Sequence, residues 1–567
     1  MKRTFFIVLH LYIYTLIPTL GFGQHLYLEI TPDSLTQKAP LNEIEIDTIF
    51  NDYQALKTEV DTFMQQLYQK GYIESRLVSL KKKNDSLYAA DVLLNTHYKN
   101  LRINLPEEHP FTEKDLVFIA NNFDENYIEI DFEDTSNILR HLTSVLTKTG
   151  DAFSNIQLNH LRPSTTKATL EADLIIRTDT IRTIDDIHIK GYEKFPRSFL
   201  KYAVGLKKGA LFVKEEVVEK SELIENLGFA RNIKAPEVLF TKNETEVYLY
   251  LEKTNNNTFD GILGFATNED TGAIELNGYL NLVLSNNLNF GEKFILNYKN
   301  DGERQEQFFV KTELPFLFKS PFGLEAELSL FKKDTTFITI EQSLLATYQL
   351  NTKTKVFAGY KTFTSENLQK DNALIDDIED FTSRFGVVGI EYNKPQRSRL
   401  FPVKTHMRLA NDIGQRNRNN IKTPQIRSQL RAFHLLQLNP QNSIYINNST
   451  SALFSNNYFT NELFRFGGIN SIRGFEENSI DASLFSVINT EYRYLLGATA
   501  YIHTITDVAY FENNITQTQE NLYSFGFGLG LLTKAGVFKL NIANGKQNEQ
   551  SFKFSNTKIH LSLNAIF

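Results

Sequence analysis

The stretch "LFRFGGINSIRGFEENSI", Leu463–Ile480, decides how this chain is read. No helical or strand period runs through its middle. It holds two adjacent glycines, Gly467 and Gly468, then Ile472, Arg473, Gly474 and Phe475. It lies between an alternating segment ending near Phe454 and another starting near Leu484. Glycine permits tight and left-handed backbone, so the stretch reads as a long bent loop presenting one permanent charge. What that charge meets depends on the flanking segments.

From about Asn257 onward, apolar and polar residues alternate. "GLEAELSLF" puts Leu324, Ala326, Leu328 and Leu330 on one face and Glu325, Glu327 and Ser329 on the other. "TKIHLSLNAIF" puts Ile559, Leu561, Leu563, Ala565 and Phe567 opposite Lys558, His560, Ser562 and Asn564. Strand side chains alternate between faces, so each segment has one apolar and one wet side. A soluble sandwich alternates too. Three features favour a membrane barrel instead. An export signal precedes a chain without cysteine, many segments are long enough to cross a bilayer when tilted, and the polar face carries true charges, as a watery lumen requires. The region divides into about sixteen segments, an even number as expected of single-chain bacterial barrels.

Two of the strands after the loop each offer one carboxylate to the lumen. In "LFSVINTEYRYLL", Glu491 shares a side with Asn489 and Arg493; in "YIHTITDVAYF", Asp507 shares a side with His503. An Arg473 folded back into the lumen reaches both acids, with Arg493 competing for Glu491. Guanidinium is planar, always charged and bidentate toward carboxylates, so it orients the loop as lysine would not.

The first half carries a repeat. Amphipathic helices, with apolar residues at i, i+3 and i+4, break at Gly71, Gly150 and Gly228, a spacing of roughly 78 residues that suits one small domain each. A strand, a turn and a strand follow each break. At the N-terminus, Lys2 and Arg3, an apolar run from Phe5 to Leu20, and "GFG" read as a secretory signal cut after Gly23. The expected organisation is a signal peptide over 1–23, α+β domains over 24–96, 97–178 and 179–254, and a transmembrane antiparallel barrel over 255–567.

Composition excludes other classes. The formal net charge is −7, and Lys81–Lys83 read as a solvated hairpin tip, so nucleic acid is not an expected partner. With no cysteine there are no disulfides or thiolate metal sites. No His-Glu-x-x-His or Gly-x-Ser-x-Gly occurs, and Gly526, Gly528 and Gly530 lie on one strand face with no helix after them. Neither an enzyme, a metal nor a cofactor is expected.

The strand-helix-helix-strand-strand units resemble polypeptide-transport-associated (POTRA) domains, and Ile184–Phe212 fits best. "FGGINSIRGF" is similar to the signature loop of the BamA/TamA-like outer-membrane assembly-factor superfamily. "NNLNFGEKF" (Asn286–Phe294), the Gly-rich penultimate strands and the terminal Phe567 resemble that superfamily as well. The resemblance implies that Gly467, Gly468, Ile472, Arg473, Gly474 and Phe475 form a loop anchor on Glu491 and Asp507. It implies an outer-membrane location with periplasmic N-terminal domains, and insertion or translocation of β-rich client proteins. The barrel seam would be lined by Gly261, Gly264 and Phe567. Outer-membrane lipid, unfolded barrel or secreted clients, and a periplasmic or lipoprotein partner are the expected company. Three repeats suit a TamA-like assembly protein. A two-partner exporter is the alternative within the family, and a passive porin the alternative outside it.

Overall fold

The computed structural model describes residues 25–32, 44–165, 168–267, 274–300, 305–369, 377–533, 536–547 and 553–564. The segment 1–23 expected to be a signal peptide and Phe567 lie outside them. The chain forms two compact units, Met1–Arg182 and Thr183–Phe567.

The first unit holds two small mixed sheets. In one, Leu26–Pro32 pairs parallel with Leu87–Leu93, flanked by Ile49–Phe50 and Arg76–Lys82. Helix α1, Tyr53–Gln69, covers this sheet with Leu56, Val60, Phe63, Met64 and Leu67. Asp52 caps it, accepting from the Ala55 amide at 2.8 Å. Gly71 ends it at φ +89°, where a Cβ would stand 2.1 Å from the Tyr98 carbonyl oxygen. In the second sheet Asn100–Asn104 pairs parallel with Thr169–Arg177, covered by α2, Thr135–Lys148. This domain departs from the expected element order: it adds a hairpin, Asn122–Phe123 with Tyr127–Asp131, on the sheet edge. In the first domain the segment between the first strand and Ile49–Phe50 that would hold the other expected helix, residues 33–43, lies outside the described residues.

The second unit begins with a third small sheet. Asp186–Gly191 pairs parallel with Thr245–Lys253, and Ala230–Asn232 and Glu237–Phe240 complete it beside α3, Lys214–Leu223. A parallel first-to-last strand pair therefore recurs in all three domains. Among the described residues the remainder is a small two-stranded pair, Phe464–Phe466 with Ile480–Ala482, and one antiparallel sheet of sixteen strands, each paired with its neighbours in order. They are β1 (Thr258–Thr267), β2 (Ile274–Ser285), β3 (Lys293–Asn300), β4 (Gln305–Leu314), β5 (Phe322–Lys333), β6 (Phe337–Gln349), β7 (Thr354–Asn367) and β8 (Phe381–Pro395). The rest are β9 (Val403–Arg418), β10 (Ile421–Gln437), β11 (Asn442–Ser455), β12 (Leu484–Leu495), β13 (Ala500–Asn513), β14 (Thr518–Thr533), β15 (Gly536–Gln547) and β16 (Thr557–Asn564).

The sheet curls until its two edges face one cavity of 1040 Å³, lined by Asp260 of β1, Ser562 of β16 and Asn470 of the loop. Its interior is ionic. Glu325 meets Lys355 at 2.7 Å and Lys311 at 3.4 Å, Glu391 meets Arg408 at 2.6 Å, and Lys361 meets Asp412 at 2.9 Å. Outward positions such as Ile502, Phe525, Phe527, Ile559 and Leu561 are apolar and exposed. That is the alternation a lipid-embedded barrel needs, since the ladders satisfy the backbone within the wall and the apolar face meets hydrocarbon. The longest strands are β9 and β10, with 16 and 17 residues, and β14, with 16.

The third domain docks on the β2–β3 turn. Tyr192 Oη donates to Asn289 Oδ1 at 2.7 Å and accepts from Asn286 Nδ2 at 2.8 Å. Phe199 packs edge-on against Phe316 of the β4–β5 turn. Gly291, at φ +75°, touches the Phe199 ring so closely that a Cβ would fall 2.0 Å from it. This explains "NNLNFGEKF" physically: the asparagines grip Tyr192 and the glycine admits Phe199. Gly291→Ala should therefore cost about 1–3 kcal/mol in strain and overpacking. Amide exchange around 199–205 and 286–292 should rise while the barrel stays folded.

In the first unit, hydrogen bonds from Arg162 and Asn104, with a further one from His160, hold the Asp173 carboxyl well below the usual range. A depressed folded pKa stabilises fully above the unfolded value of about 3.9 and is lost as pH falls through the folded value. Asp173→Asn should flatten the acid limb of the first unit's stability profile, measured by urea unfolding between neutral and strongly acidic pH.

Candidate functional site

The loop between β11 and β12 folds into the lumen. Arg473 is 4% exposed and Asp507 is fully buried. The arginine donates Nε to Asp507 Oδ2 at 2.9 Å and Nη2 to Oδ1 at 2.6 Å, a bidentate fork, and its own amide adds a bond to Oδ2 at 3.0 Å. Its Nη1 donates to Glu491 Oε1 at 2.5 Å. Arg493 takes the other carboxylate oxygen, Oε2, through Nε at 2.8 Å and Nη2 at 2.7 Å. Competition for Glu491 is thus resolved by division. Two cations and two carboxylates form a neutral buried quartet. Such a group is stable intact and expensive to break singly.

Local sequence positions each member. Asn489 stands opposite Asp507 across the β12–β13 ladder, so Glu491 lies one inward position further along. The ladder runs to Thr490 opposite Thr506 and resumes at Arg493 opposite His503; between them the Tyr492 amide donates to the Thr504 hydroxyl at 3.0 Å. Gly467, Gly468 and Gly474 all have positive φ, at +118°, +91° and +83°. The Asn489 side chain holds the Ser471 carbonyl at 2.8 Å.

The loop also carries its own apolar core. Ile472 is fully buried with Phe464, Phe466, Phe485, Val487 and Phe511, and Phe466 stacks on Phe485 at 4.6 Å. Phe475 lies against Gly545 of β15, where a Cβ would come 2.6 Å from the ring. Gly528 and Gly530 face the lumen too, leaving room for His503 and Tyr501.

A second anchor escaped sequence reasoning. Glu462, 3% exposed, pairs with Arg416 of β9 and accepts from Gln425 of β10 at 2.8 Å. The guanidinium of Arg416 lies 4.1 Å from the Phe459 ring centre. Asn461 donates to Ser365 of β7 and to the Glu379 carbonyl, at 2.8 and 2.7 Å. Parity shows that Arg416 faces inward, but nothing local links it to a residue 46 positions later. The proposed seam residues fare differently. Gly261 stands on β1 opposite Leu280, with Gly264 on the same strand opposite Asn277. No cluster of metal-binding side chains occurs among the described residues.

Residues 182–252 match the family described as "POTRA: Surface antigen variable number repeat", so the third small domain is a POTRA domain. No curated protein matches the chain. Among solved structures it is similar to BamA from Haemophilus ducreyi lacking POTRA domains 1–3, at 14% identity and TM-score 0.45, over 75% of this chain and 92% of that one. It is similar to CdiB from Acinetobacter baumannii at 15% identity and TM-score 0.44, over 90% and 98%. CdiB from Escherichia coli gives 12%, 0.46, 89% and 97%. With the strand order above, the class is a chain that joins a POTRA domain to an antiparallel sixteen-stranded sheet with an apolar outer face.

Arg473→Ala strands two buried carboxylates with one cation and should cost about 3–5 kcal/mol. The loop should become protease-sensitive while the barrel still forms. Glu462→Ala should release the other end, leaving Arg473 seated, as limited proteolysis of the two variants distinguishes.

Proposed function

We propose that this chain is a BamA/TamA-like outer-membrane insertase or translocase for β-rich client proteins. One observation carries the reading. Among the described residues, β1 pairs only with β2 and β16 only with β15, and both edges open on the same cavity. A seam without a ladder offers backbone donors and acceptors to an incoming strand, which would otherwise enter lipid with its polar backbone unsatisfied.

The N-terminal domains suit capture. Arg76–Lys82 and Asn155–Pro163 are edge strands of their sheets, able to accept an extended client by β-augmentation. The reaction needs no cofactor; the client's own folding free energy drives it. The anchored loop argues against a passive pore, because it occupies the lumen and brings its own packed core.

The chain has no cysteine, so an engineered pair is unique. Asp260→Cys with Ser562→Cys, oxidised across the seam, should abolish client assembly, and reduction should restore it. Unimpaired assembly by the locked barrel would rule out lateral opening. In planar bilayers the purified protein should lack the large steady conductance of a porin.

A further inference from the structure

The terminal strand β16 is held from inside by the same tetrapeptide that seats Arg473. The Gly474 amide donates to Nε2 of His560, on β16, at 3.1 Å. Only an unprotonated Nε2 can accept, so this bond requires the neutral ring with its proton on Nδ1. The approach is built for contact: a Cβ on Gly474 would lie 2.5 Å from the Gly545 amide of β15. A weaker tie, Lys558 Nζ to Glu476 Oε1 at 3.3 Å, is solvent-exposed and adds little.

We infer that His560 is a positioning residue coupling the infolded loop to the seam strand. Arg473 and Gly474 are consecutive. One grips β12 and β13; the other grips β16, whose far edge has no ladder among the described residues. The loop is therefore a strap across the last five strands. While Arg473 is seated, the strap presents a fixed donor to His560 and holds β16 against β15. When the loop shifts, β16 loses that support and keeps only its eight-residue ladder. A histidine does this where an alkyl side chain could not, because the donor is a backbone amide that needs an acceptor. The role of the strap in client entry rests on the function proposed above; the coupling itself does not.

Hydrogen exchange of the purified full chain in lipid nanodiscs tests it without any client. His560→Leu should speed exchange of the β16 amides about five- to tenfold, the loss expected for one hydrogen bond. His560→Gln, whose carbonyl oxygen can accept, should stay near the native rate. Arg473→Ala should speed β16 to a similar extent, and the double variant with His560→Leu should be no faster than either alone. Native protection in His560→Leu, failure of Gln to outperform Leu, or additive effects in the double variant would each overturn the coupling. If His560→Leu does not fold, unchanged β16 exchange in Arg473→Ala overturns it alone. Normal coupling in a protein that assembles no client would leave the coupling standing and sink the proposed function.

Discussion

The loop of the second unit is arranged around one buried guanidinium. An arginine withdrawn from bulk water must find carboxylates at bidentate geometry. Asp507 and Glu491 supply them from adjacent strands, and their separation follows from the β12–β13 register. Arg493 on the same face keeps the group neutral. The quartet fixes where the loop's tip sits in the lumen, beside the Glu462 anchor and the loop's own apolar core. With it, the glycines, the Phe466–Phe485 stack and the Gly545 contact become consequences of where Arg473 must sit.

The lumen is not uniform. Along β5 to β10 it is an ionic wall in which acids and bases from neighbouring strands alternate, as at Glu325, Lys355 and Glu391. Around the loop it turns apolar, with Phe485, Val487 and Phe511 pointing inward. The loop is thus clamped twice by charge, at Glu462 and at Arg473, and packed between those points. Both charged clamps are on the β7–β13 side, and toward the seam the loop is held by the Gly474–His560 bond.

Much of this could be read from residue order. Alternation in "GLEAELSLF" and "TKIHLSLNAIF" separates lipid and lumen faces, because strand geometry has a period of two. Gly71, Gly150 and Gly228 all have positive φ, as helix ends require. Arg473 and its two acids were legible because all three sit on one loop and two of the strands that follow it. The Arg416–Glu462 clamp, the Tyr192–Asn286 clasp and the Gly474–His560 bond were not. Each joins residues tens of positions apart, or crosses the barrel, and no local pattern encodes who stands opposite whom. The extra hairpin of the second domain was missed for a simpler reason: strands of two and five residues are too short to show a period.

What residue order alone determined is local: which segments are strands, which face of each is wet, where helices stop, and that one arginine needs two carboxylates. Those properties follow from side-chain alternation, backbone sterics and charge, which act over a few residues. Closure of the sheet decided the rest. Curling sixteen strands brings β16 beside the loop and β1 beside β16, and only then do a histidine, a glycine amide and two unpaired edges become a strap and a seam.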